Sequence, residues 1–260
     1  MTEMNLNLSN KVAIVTGASK GIGKAIALTL AKEGMRLVLA ARSGELLDEV
    51  ARKCGTECVV LPLDLRMPDA PAKLVDAAIE RFGRIDLLVN NAGATKRGDF
   101  LKLTDMDWAD GYALKMFGAM RCCRAAWPYL VKTRGSIVNI VGIGGRTPSA
   151  EFTIGGSVNA ALLNLTKALA DRGTIDGVRV NAINPGAIVT DRLHIRIRNF
   201  AKEHGLDESA AQREMARSMG IARFGQPEEI ANAVAFLTSD RASYLHGSII
   251  DIDGGATRTL

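Results

Sequence analysis

The segment VAIVTGASKGIG, residues 12–23, decides the fold of this chain. Its first five residues are apolar or β-branched and predict a buried strand, whereas the residues from Gly21 onward follow a helical pattern. Gly17, Gly21 and Gly23 lie in and beside the turn between these two elements. Glycines there let backbone N–H groups and the helix N-terminus approach an anion closely, so the segment predicts a site for a dinucleotide pyrophosphate.

Six more short apolar runs follow and alternate with longer helical patterns. The predicted strands are residues 12–16, 36–41, 58–63, 85–90, 136–141, 178–183 and 248–253. The predicted helices are residues 21–33, 68–82, 105–131, 152–172 and 227–237. Strands that are apolar on both faces and separated by helices are typical of parallel sheets. The sequence therefore predicts an α/β fold, a Rossmann-type doubly wound parallel sheet of about seven strands with helices on both faces.

Length and composition indicate an ordinary globular chain. Its 260 residues suit a single domain spanning residues 1–260, and 47% hydrophobic with 23% charged residues shows no disordered or fibrous bias. The formal net charge is +5, but Lys and Arg are scattered among acidic residues, so we expect no nucleic-acid partner. No stretch has the length and apolarity of a signal peptide or a membrane span, so we expect a cytoplasmic protein without membrane contact.

The cysteines do not indicate a metal site. Cys54, Cys58, Cys122 and Cys123 have no second pair or histidine at the spacing that a closed zinc site needs. We therefore expect reduced, partly buried thiols and no bound metal.

Three motifs together resemble the short-chain dehydrogenase/reductase family, and the likeness covers nearly the whole chain. They are TGASKGIG at residues 16–23, NNAG at 90–93 and NPGAIVT at 184–190. The resemblance implies a nicotinamide dinucleotide with Asp64 at its adenine and the third motif at its nicotinamide. The cofactor-binding residues that it implies are Gly17, Ser19, Lys20, Gly21, Ile22, Gly23, Arg42, Asp64, Leu65, Asn90, Ala92, Gly93, Pro185, Gly186, Ile188 and Thr190.

The end of the second predicted strand favours NADP(H) over NAD(H). An acidic residue there would bind the ribose 2′-hydroxyl and repel a phosphate, but this chain has Arg42. Arg42 can form a bidentate contact with a 2′-phosphate, and Lys20 adds a second positive charge. The alternative is that both are solvated surface cations.

The resemblance also exposes a departure at the catalytic residues. In the family, a tyrosine exchanges a proton with the substrate, a lysine lowers its pKa and holds the nicotinamide ribose, a serine orients the carbonyl and an asparagine maintains a relay water. At the tyrosine, lysine, serine and asparagine positions this chain has, in that order, Gly155, Asn159, Gly142 and Lys115. The catalytic residues are therefore unknown, and losing the whole set should nearly abolish the family's usual reaction.

Other hydroxyl residues do not replace the missing tyrosine. The tyrosines of the chain are Tyr112, Tyr129 and Tyr244, and none falls between the fifth predicted strand and the end of the following helix. Ser149 and Ser157 are off-register, and Thr153 carries an aliphatic hydroxyl, a much weaker acid than a phenol. Glycine at position 155 should leave space for water, a neighbouring side chain or a ligand.

Lys115 is the weak candidate for a substitute. We hypothesise that it projects into the cleft and contacts a ligand oxygen or the former position of the relay water. The alternative is a lysine that is turned toward solvent or that pairs with a carboxylate such as Glu151.

Residues 191–223 interrupt the alternation of strands and helices. They are charged and helix-prone, and the resemblance implies that they form a lid over the substrate. Arg192, Arg196 and Arg198 could bind a substrate carboxylate or phosphate, and His194 could act as a base, although such residues commonly belong to a solvated helix face. Tyr112 lies one helical turn before Lys115 and receives no role.

Three functions stay open from the sequence. The first is an NADP(H)-dependent oxidoreductase that acts on an unidentified carbonyl or alcohol with a non-standard set of residues. The second is a non-catalytic dinucleotide-binding sensor or an inactive partner subunit, and the third is a non-redox lyase or isomerase in the same pocket. The partner would be a small-molecule ligand, and the resemblance also implies a homotetramer or homodimer.

Overall fold

Residues 5–258 are described by a computed structural model, and in that range seven strands form one parallel sheet. The strands are Val12–Thr16 (β1), Arg36–Ala41 (β2), Cys58–Pro62 (β3), Leu87–Asn90 (β4), Ser136–Ile140 (β5), Arg179–Pro185 (β6) and Ile249–Ile252 (β7). Their order in the sheet is β3-β2-β1-β4-β5-β6-β7. The predicted fold class is confirmed, with strand ends that differ from the predicted ones by at most two residues.

Helices cover both faces of this sheet. They are Gly21–Lys32 (α1), Gly44–Cys54 (α2), Ala70–Phe82 (α3), Asp105–Tyr112 (α4), Gly118–Thr133 (α5), Thr153–Asp176 (α6), Asp191–His204 (α7), Glu208–Ser218 (α8) and Pro227–Thr238 (α9). Helices α1 and α9 pack on one face, and α3 and α5 pack on the other. In the described part of the chain, none of these helices has the length and apolarity to cross a membrane.

Helix α2 is absent from the predictions. Five of its eleven residues are charged, but Leu47, Val50 and Cys54 lie on one side and are buried. This spacing of three and four residues is the usual signal of an amphipathic helix. The helix ends at Gly55, which adopts the left-handed conformation that glycine tolerates best.

The predicted continuous helix 105–131 is wrong in its middle. A π-helical turn at Ala113–Phe117 separates α4 from α5. Such a turn inserts one extra residue into the helical hydrogen-bond ladder and is frequent at functional sites. Lys115 lies at the centre of this turn.

The order of strands places a crevice beside β1. The chain runs outward in one direction through β2 and β3, and in the other through β4 to β7, so β1 and β4 mark the point where the order reverses. Register pairs Val15 with Val89, which brings the carboxyl ends of β1 and β4 together. Ligands of open α/β sheets bind at such a point.

Residues 191–223 form α7, α8 and the chain that follows them. The two helices pack on each other through Leu193, Ile197, Ala211 and Met215, which are buried in a small apolar core of their own. This segment begins directly after the loop that follows β6, so it stands at the carboxyl edge of the sheet.

Candidate active site

The glycine turn is built around close backbone contacts. Gly17 has a φ of +66°, and a Cβ atom there would lie 2.8 Å from Asn91 Nδ2. A Cβ atom on Gly23 would lie 2.2 Å from the carbonyl oxygen of Gly17. Only glycine fits both positions, and the turn leaves backbone amide groups facing the cleft at the start of α1.

Side-chain hydrogen bonds fasten this turn to the end of β4. Asn91 Nδ2 donates to the carbonyl oxygens of Thr16 at 2.9 Å and Gly17 at 3.2 Å. The Thr16 hydroxyl accepts from the backbone N–H of Asn91 at 2.9 Å and of Ala92 at 3.1 Å. Asn91 is not among the predicted cofactor-binding residues, although its position beside Asn90 in the NNAG motif was a signal that it belongs to the site.

A cleft of about 510 Å³ opens over these strand ends. Twelve of the predicted cofactor-binding residues line it: Gly17, Ser19, Lys20, Gly21, Ile22, Gly23, Arg42, Asp64, Leu65, Ala92, Gly93 and Thr190. Further lining residues that the sequence did not single out for the cofactor are Ala40, Ala41, Ser43, Leu46, Leu63, Asn91, Ala94, Leu114, Asp191 and Arg192.

The remaining four predicted residues do not line this cleft. Asn90 is buried, and its Nδ2 donates to Asn139 Oδ1 at 2.9 Å. Ile188 lines a separate cavity, close to Asp253. Pro185 is buried in β6, and Gly186 donates its backbone N–H to the Ile252 carbonyl. Their role toward a cofactor stays a prediction.

Two exposed cations stand at one end of the cleft. Lys20 and Arg42 both line it, so they are surface cations that also face the predicted cofactor site. The nearby Asp64 carboxylate is held by Arg66, which contacts it through its backbone N–H at 3.0 Å and its guanidinium at 3.3 Å. Arg66 also bonds to Asp110 at 2.5 Å, so it offsets one of these two carboxylates, and Lys20 and Arg42 supply the further positive charge that an anion would meet here.

Lys115 does not line this cleft, although its chain neighbour Leu114 and its contact Gly93 do. It contacts Asn159, which the resemblance places at the family's lysine position. Its Nζ donates to Asn159 Oδ1 at 2.6 Å and to the Val141 carbonyl oxygen at 2.5 Å. Its aliphatic stem runs so close to Gly93 that a Cβ atom there would lie 3.0 Å from Lys115 Cδ. The Lys115 ammonium group is therefore neither turned toward solvent nor paired with Glu151. It brings an ammonium group from the π turn to α6.

Burial changes the acidity of this ammonium group. Desolvation lowers the pKa of Lys115 to about 7, and the positive charge of Arg192 adds to the effect. Arg192 lies at the start of α7 and donates from Nη2 to the Gly93 carbonyl oxygen at 2.8 Å. An amine with this pKa exchanges its proton near neutral pH, as a general acid or base must.

Position 142 requires the glycine that it has. Gly142 adopts a φ of +120°, which side-chain-bearing residues rarely adopt. Its N–H donates to Asn184 Oδ1 at 3.2 Å, and its carbonyl oxygen accepts from Asn159 Nδ2 at 3.3 Å. The second contact fixes the amide of Asn159 with its oxygen toward Lys115.

A neighbouring side chain fills the space at position 155. A Cβ atom on Gly155 would lie 2.0 Å from Cζ of Phe152, and one on Gly144 would lie 2.8 Å from Cε1 of the same ring. The Arg97 guanidinium stacks over this ring at 4.2 Å. The space that the sequence analysis assigns to water, a side chain or a ligand is therefore filled by the Phe152 side chain. Phe152 lies three residues before Gly155, a helical spacing that could have suggested it.

The other candidate groups do not gather at Lys115. His194 and Arg198 are exposed on α7, and the Tyr112 ring contacts Phe117. The Ser157 hydroxyl donates back to the Thr153 carbonyl oxygen at 3.0 Å. The four cysteines are free thiols.

Comparison with known sequences agrees with this geometry. A family model described as enoyl-(acyl carrier protein) reductase matches residues 17–257. An uncharacterized oxidoreductase of Mycobacterium tuberculosis is 36% identical over 255 residues, which are 96% of this chain and 93% of that protein. The 3-oxoacyl-[acyl-carrier-protein] reductase FabG of Thermotoga maritima is 34% identical over 257 residues, covering 96% of this chain and 99% of FabG.

Solved structures give the same result. L-sorbose reductase from Gluconobacter frateurii, complexed with NADPH and L-sorbose, is similar with a TM-score of 0.95 and 35% sequence identity. The match covers 99% of this chain and 100% of the reductase chain. The similarity therefore includes the sheet, the glycine turn and the helices around the cleft.

The buried ammonium group predicts a pH-dependent stability. The pKa of Lys115 is about 7 in the folded chain and about 10.4 for an ordinary lysine. Between these values the unfolded chain binds more protons, so the wild type gains stability as the pH rises. Relative to Lys115→Met, we expect the wild type to gain about 1–3 kcal/mol between roughly pH 6.5 and 9.5, measured by urea denaturation. The exposed control Lys102→Met should show no such change, and a pH-independent difference for Lys115→Met would contradict the lowered pKa.

The packing of Phe152 predicts that Gly155→Ala lowers the free energy of unfolding when the Phe152 ring is present but not when it is removed. Gly155→Ala should gain about 1 kcal/mol of helix propensity, but the new methyl group overlaps the Phe152 ring. We expect a net loss of about 1–3 kcal/mol in the free energy of unfolding. In a Phe152→Ala background the same substitution should be neutral or stabilising. Denaturation of the four proteins of this cycle measures both effects, and equal effects in the two backgrounds would refute the overlap.

Proposed function

The chain belongs to the short-chain dehydrogenase/reductase family, and we propose that it is an NADP(H)-dependent oxidoreductase of a carbonyl–alcohol pair. In this proposal, Lys115 replaces the family's catalytic lysine and reaches the site from the π turn instead of from α6. The observation that carries the proposal is the Lys115–Asn159 hydrogen bond of 2.6 Å. At the two family positions, lysine and asparagine have exchanged places. The site therefore keeps one ammonium group while its origin moves from α6 to the π turn.

The cleft fits the proposed cofactor. Gly17 and Gly23 leave no room for side chains where backbone amides must approach a pyrophosphate, and Lys20 and Arg42 line the adenosine end. We assign the 2′-phosphate to Lys20 and Arg42. The L-sorbose reductase to which this chain is similar is complexed with NADPH, which agrees with this assignment. When bound, the nicotinamide of such a cofactor donates or accepts a hydride.

In this proposal, the residues of the chain supply charge and protons. The protonated amine of Lys115 is positively charged, so it would stabilise negative charge that develops on a substrate oxygen. Its pKa of about 7 lets it release a proton near neutral pH and regain one from solvent. Asn159 and the Val141 carbonyl hold the amine in one position and thereby limit its motion.

One observation favours the non-catalytic alternative. The Phe152 ring occupies the space beside Gly155, and Gly142 has no side chain, so neither position offers a hydroxyl to a substrate. A binding protein that senses the cofactor or completes an assembly would need only the glycine turn and the cations. Turnover measurements separate the two functions.

The first test removes the amine. We expect Lys115→Ala to lower kcat for NADPH oxidation on a panel of ketones by about 10²- to 10⁴-fold, because a positioned acid is lost. The double exchange Lys115→Asn with Asn159→Lys should recover part of that loss, since it returns an ammonium group to the site. Lys102→Ala, an exposed lysine outside the cleft, is the matched control and should keep full activity.

The outcomes of this test are distinct. Tight NADPH binding without turnover by the wild type on any ketone would favour the non-catalytic alternative. Turnover that Lys115→Ala leaves unchanged would show that the acid is another group.

The second test concerns the choice of cofactor. Arg42→Ala should raise the Kd for NADPH by about tenfold to a hundredfold, because it removes a charge-assisted contact, and should leave the Kd for NADH unchanged. Fluorescence titration with both cofactors measures this. Arg52→Ala, an exposed arginine on α2 outside the cleft, is the control. An equal loss for both cofactors would place Arg42 away from the 2′-phosphate.

A further inference from the structure

Three arginines, Arg97, Arg192 and Arg196, lie near Phe152 and Gly93, and Arg192 also lines the cleft. Arg97 follows the NNAG motif in the loop after β4, and its guanidinium stacks on the Phe152 ring at 4.2 Å. The backbone N–H of Gly98 donates to the Glu151 carbonyl oxygen at 3.1 Å, which fastens this loop beside Phe152. Arg97 therefore stands on the catalytic side of the cleft.

Helix α7 presents two further arginines to the same loop. Arg192 donates to the Gly93 carbonyl oxygen at 2.8 Å. Arg196 lies one helical turn later, so it shares the face of α7 that Arg192 turns toward the loop. Desolvation lowers the pKa of Arg97, and the charge of Arg196 lowers it further. Two like charges thus approach each other at the mouth of the cleft.

Carboxylates do not neutralise this group within residues 5–258. No acidic side chain there lies at ion-pair distance from Arg97, Arg192 or Arg196. The charge of Glu151 acts on Arg97 in the opposite direction and raises its pKa, but in the described part of the chain Glu151 forms no ion pair. Elsewhere on this protein, arginines at strand ends and loops pair with acids, as Arg66 does with Asp110 and Arg146 with Asp251. Neighbouring guanidinium groups without a carboxylate repel each other, and a bound anion removes that repulsion.

We propose that Arg97 and Arg196 form an anion subsite that binds a carboxylate or phosphate of the substrate while its carbonyl group faces Lys115. This proposal rests on the proposed function and names its substrate class: a ketone or alcohol that carries a negative group. Arg192 holds the loop in place through Gly93 and adds charge. The subsite differs from the cofactor's phosphate end, because Lys20 and Arg42 follow β1 and β2, whereas Arg97 follows β4 and contacts Phe152.

Equilibrium binding tests the subsite without turnover. The full chain is saturated with NADP⁺, so that Lys20 and Arg42 are covered, and isothermal titration calorimetry measures two matched pairs of ligands. The first pair is acetoacetate and its neutral ethyl ester, and the second is dihydroxyacetone phosphate and dihydroxyacetone. We expect the anion of at least one pair to bind tenfold or more tightly than its neutral partner, and the pair that does so tells carboxylate from phosphate.

Variants locate the binding site. Arg97→Ala and Arg196→Ala should each weaken binding of that anion by about tenfold or more and leave the Kd for NADP⁺ unchanged. Arg97→Lys, which keeps the charge, should lose less. Arg198→Ala is the matched control, because this exposed residue of α7 lies about 200° around the helix from Arg196. Equal binding of anion and neutral partner in both pairs, or an equal loss in Arg198→Ala, would overturn the proposal.

The two proposals fail in different ways. If the wild type oxidises NADPH with the neutral ketones as well as with the anions, the anion subsite is wrong and the proposed function stands. If an anion binds in an Arg97- and Arg196-dependent way but no ketone is reduced, the subsite stands and the reductase is wrong.

Discussion

The ammonium group of Lys115 sits between the Val141 carbonyl oxygen and Asn159 Oδ1, and this contact joins three parts of the fold. It links the π turn after α4 to the end of β5 and to α6. A buried cation needs acceptors, and here a backbone carbonyl and a side-chain amide supply them. The amide is itself oriented by Gly142, whose unusual φ turns its carbonyl oxygen to Asn159 Nδ2. Gly93 has no side chain, which leaves room for the aliphatic stem of Lys115. Substitutions at these positions therefore belong to one arrangement.

The sheet could be predicted because its signals are local and redundant. Each strand is an apolar run bounded by turn residues, and the glycine turn fixes which end of the sheet carries the site. The π turn could not be predicted in this way. Gly111 and Gly118 lie on either side of it and approach Ile154 and Leu65 closely, and no periodicity in the sequence reveals those contacts. Helix α2 was recoverable, since Leu47, Val50 and Cys54 carry a helical spacing, but its many charged residues obscured it.

The sequence predicts which residues surround Lys115, but it does not predict where their side chains lie. The resemblance of the motifs predicts that Gly142, Gly155, Asn159 and Lys115 stand at the positions of the usual set. It does not say where a lysine points, because a flexible four-carbon stem can reach solvent, Glu151 or the cleft. Nor does it say that Phe152 fills the space at Gly155, which depends on one rotamer at the start of α6. Arg97 belongs to no motif, and its place beside Phe152 follows from the stacking contact and from the hydrogen bond between Gly98 and Glu151.

An ammonium acid and a phenol acid respond differently to the same surroundings. A phenol becomes charged when it gives up its proton, so desolvation makes it a weaker acid. An ammonium group becomes neutral when it gives up its proton, so desolvation makes it a stronger acid, and the charge of Arg192 acts in the same direction. The burial that would hinder a tyrosine at this place thus assists Lys115. Under the proposed function, the arginines near the cleft have two roles. Arg192 promotes release of the proton from Lys115, whereas Arg97 and Arg196 hold a negative substrate. The loss of the tyrosine and the move of the ammonium group to the π turn are then two parts of one change in chemistry.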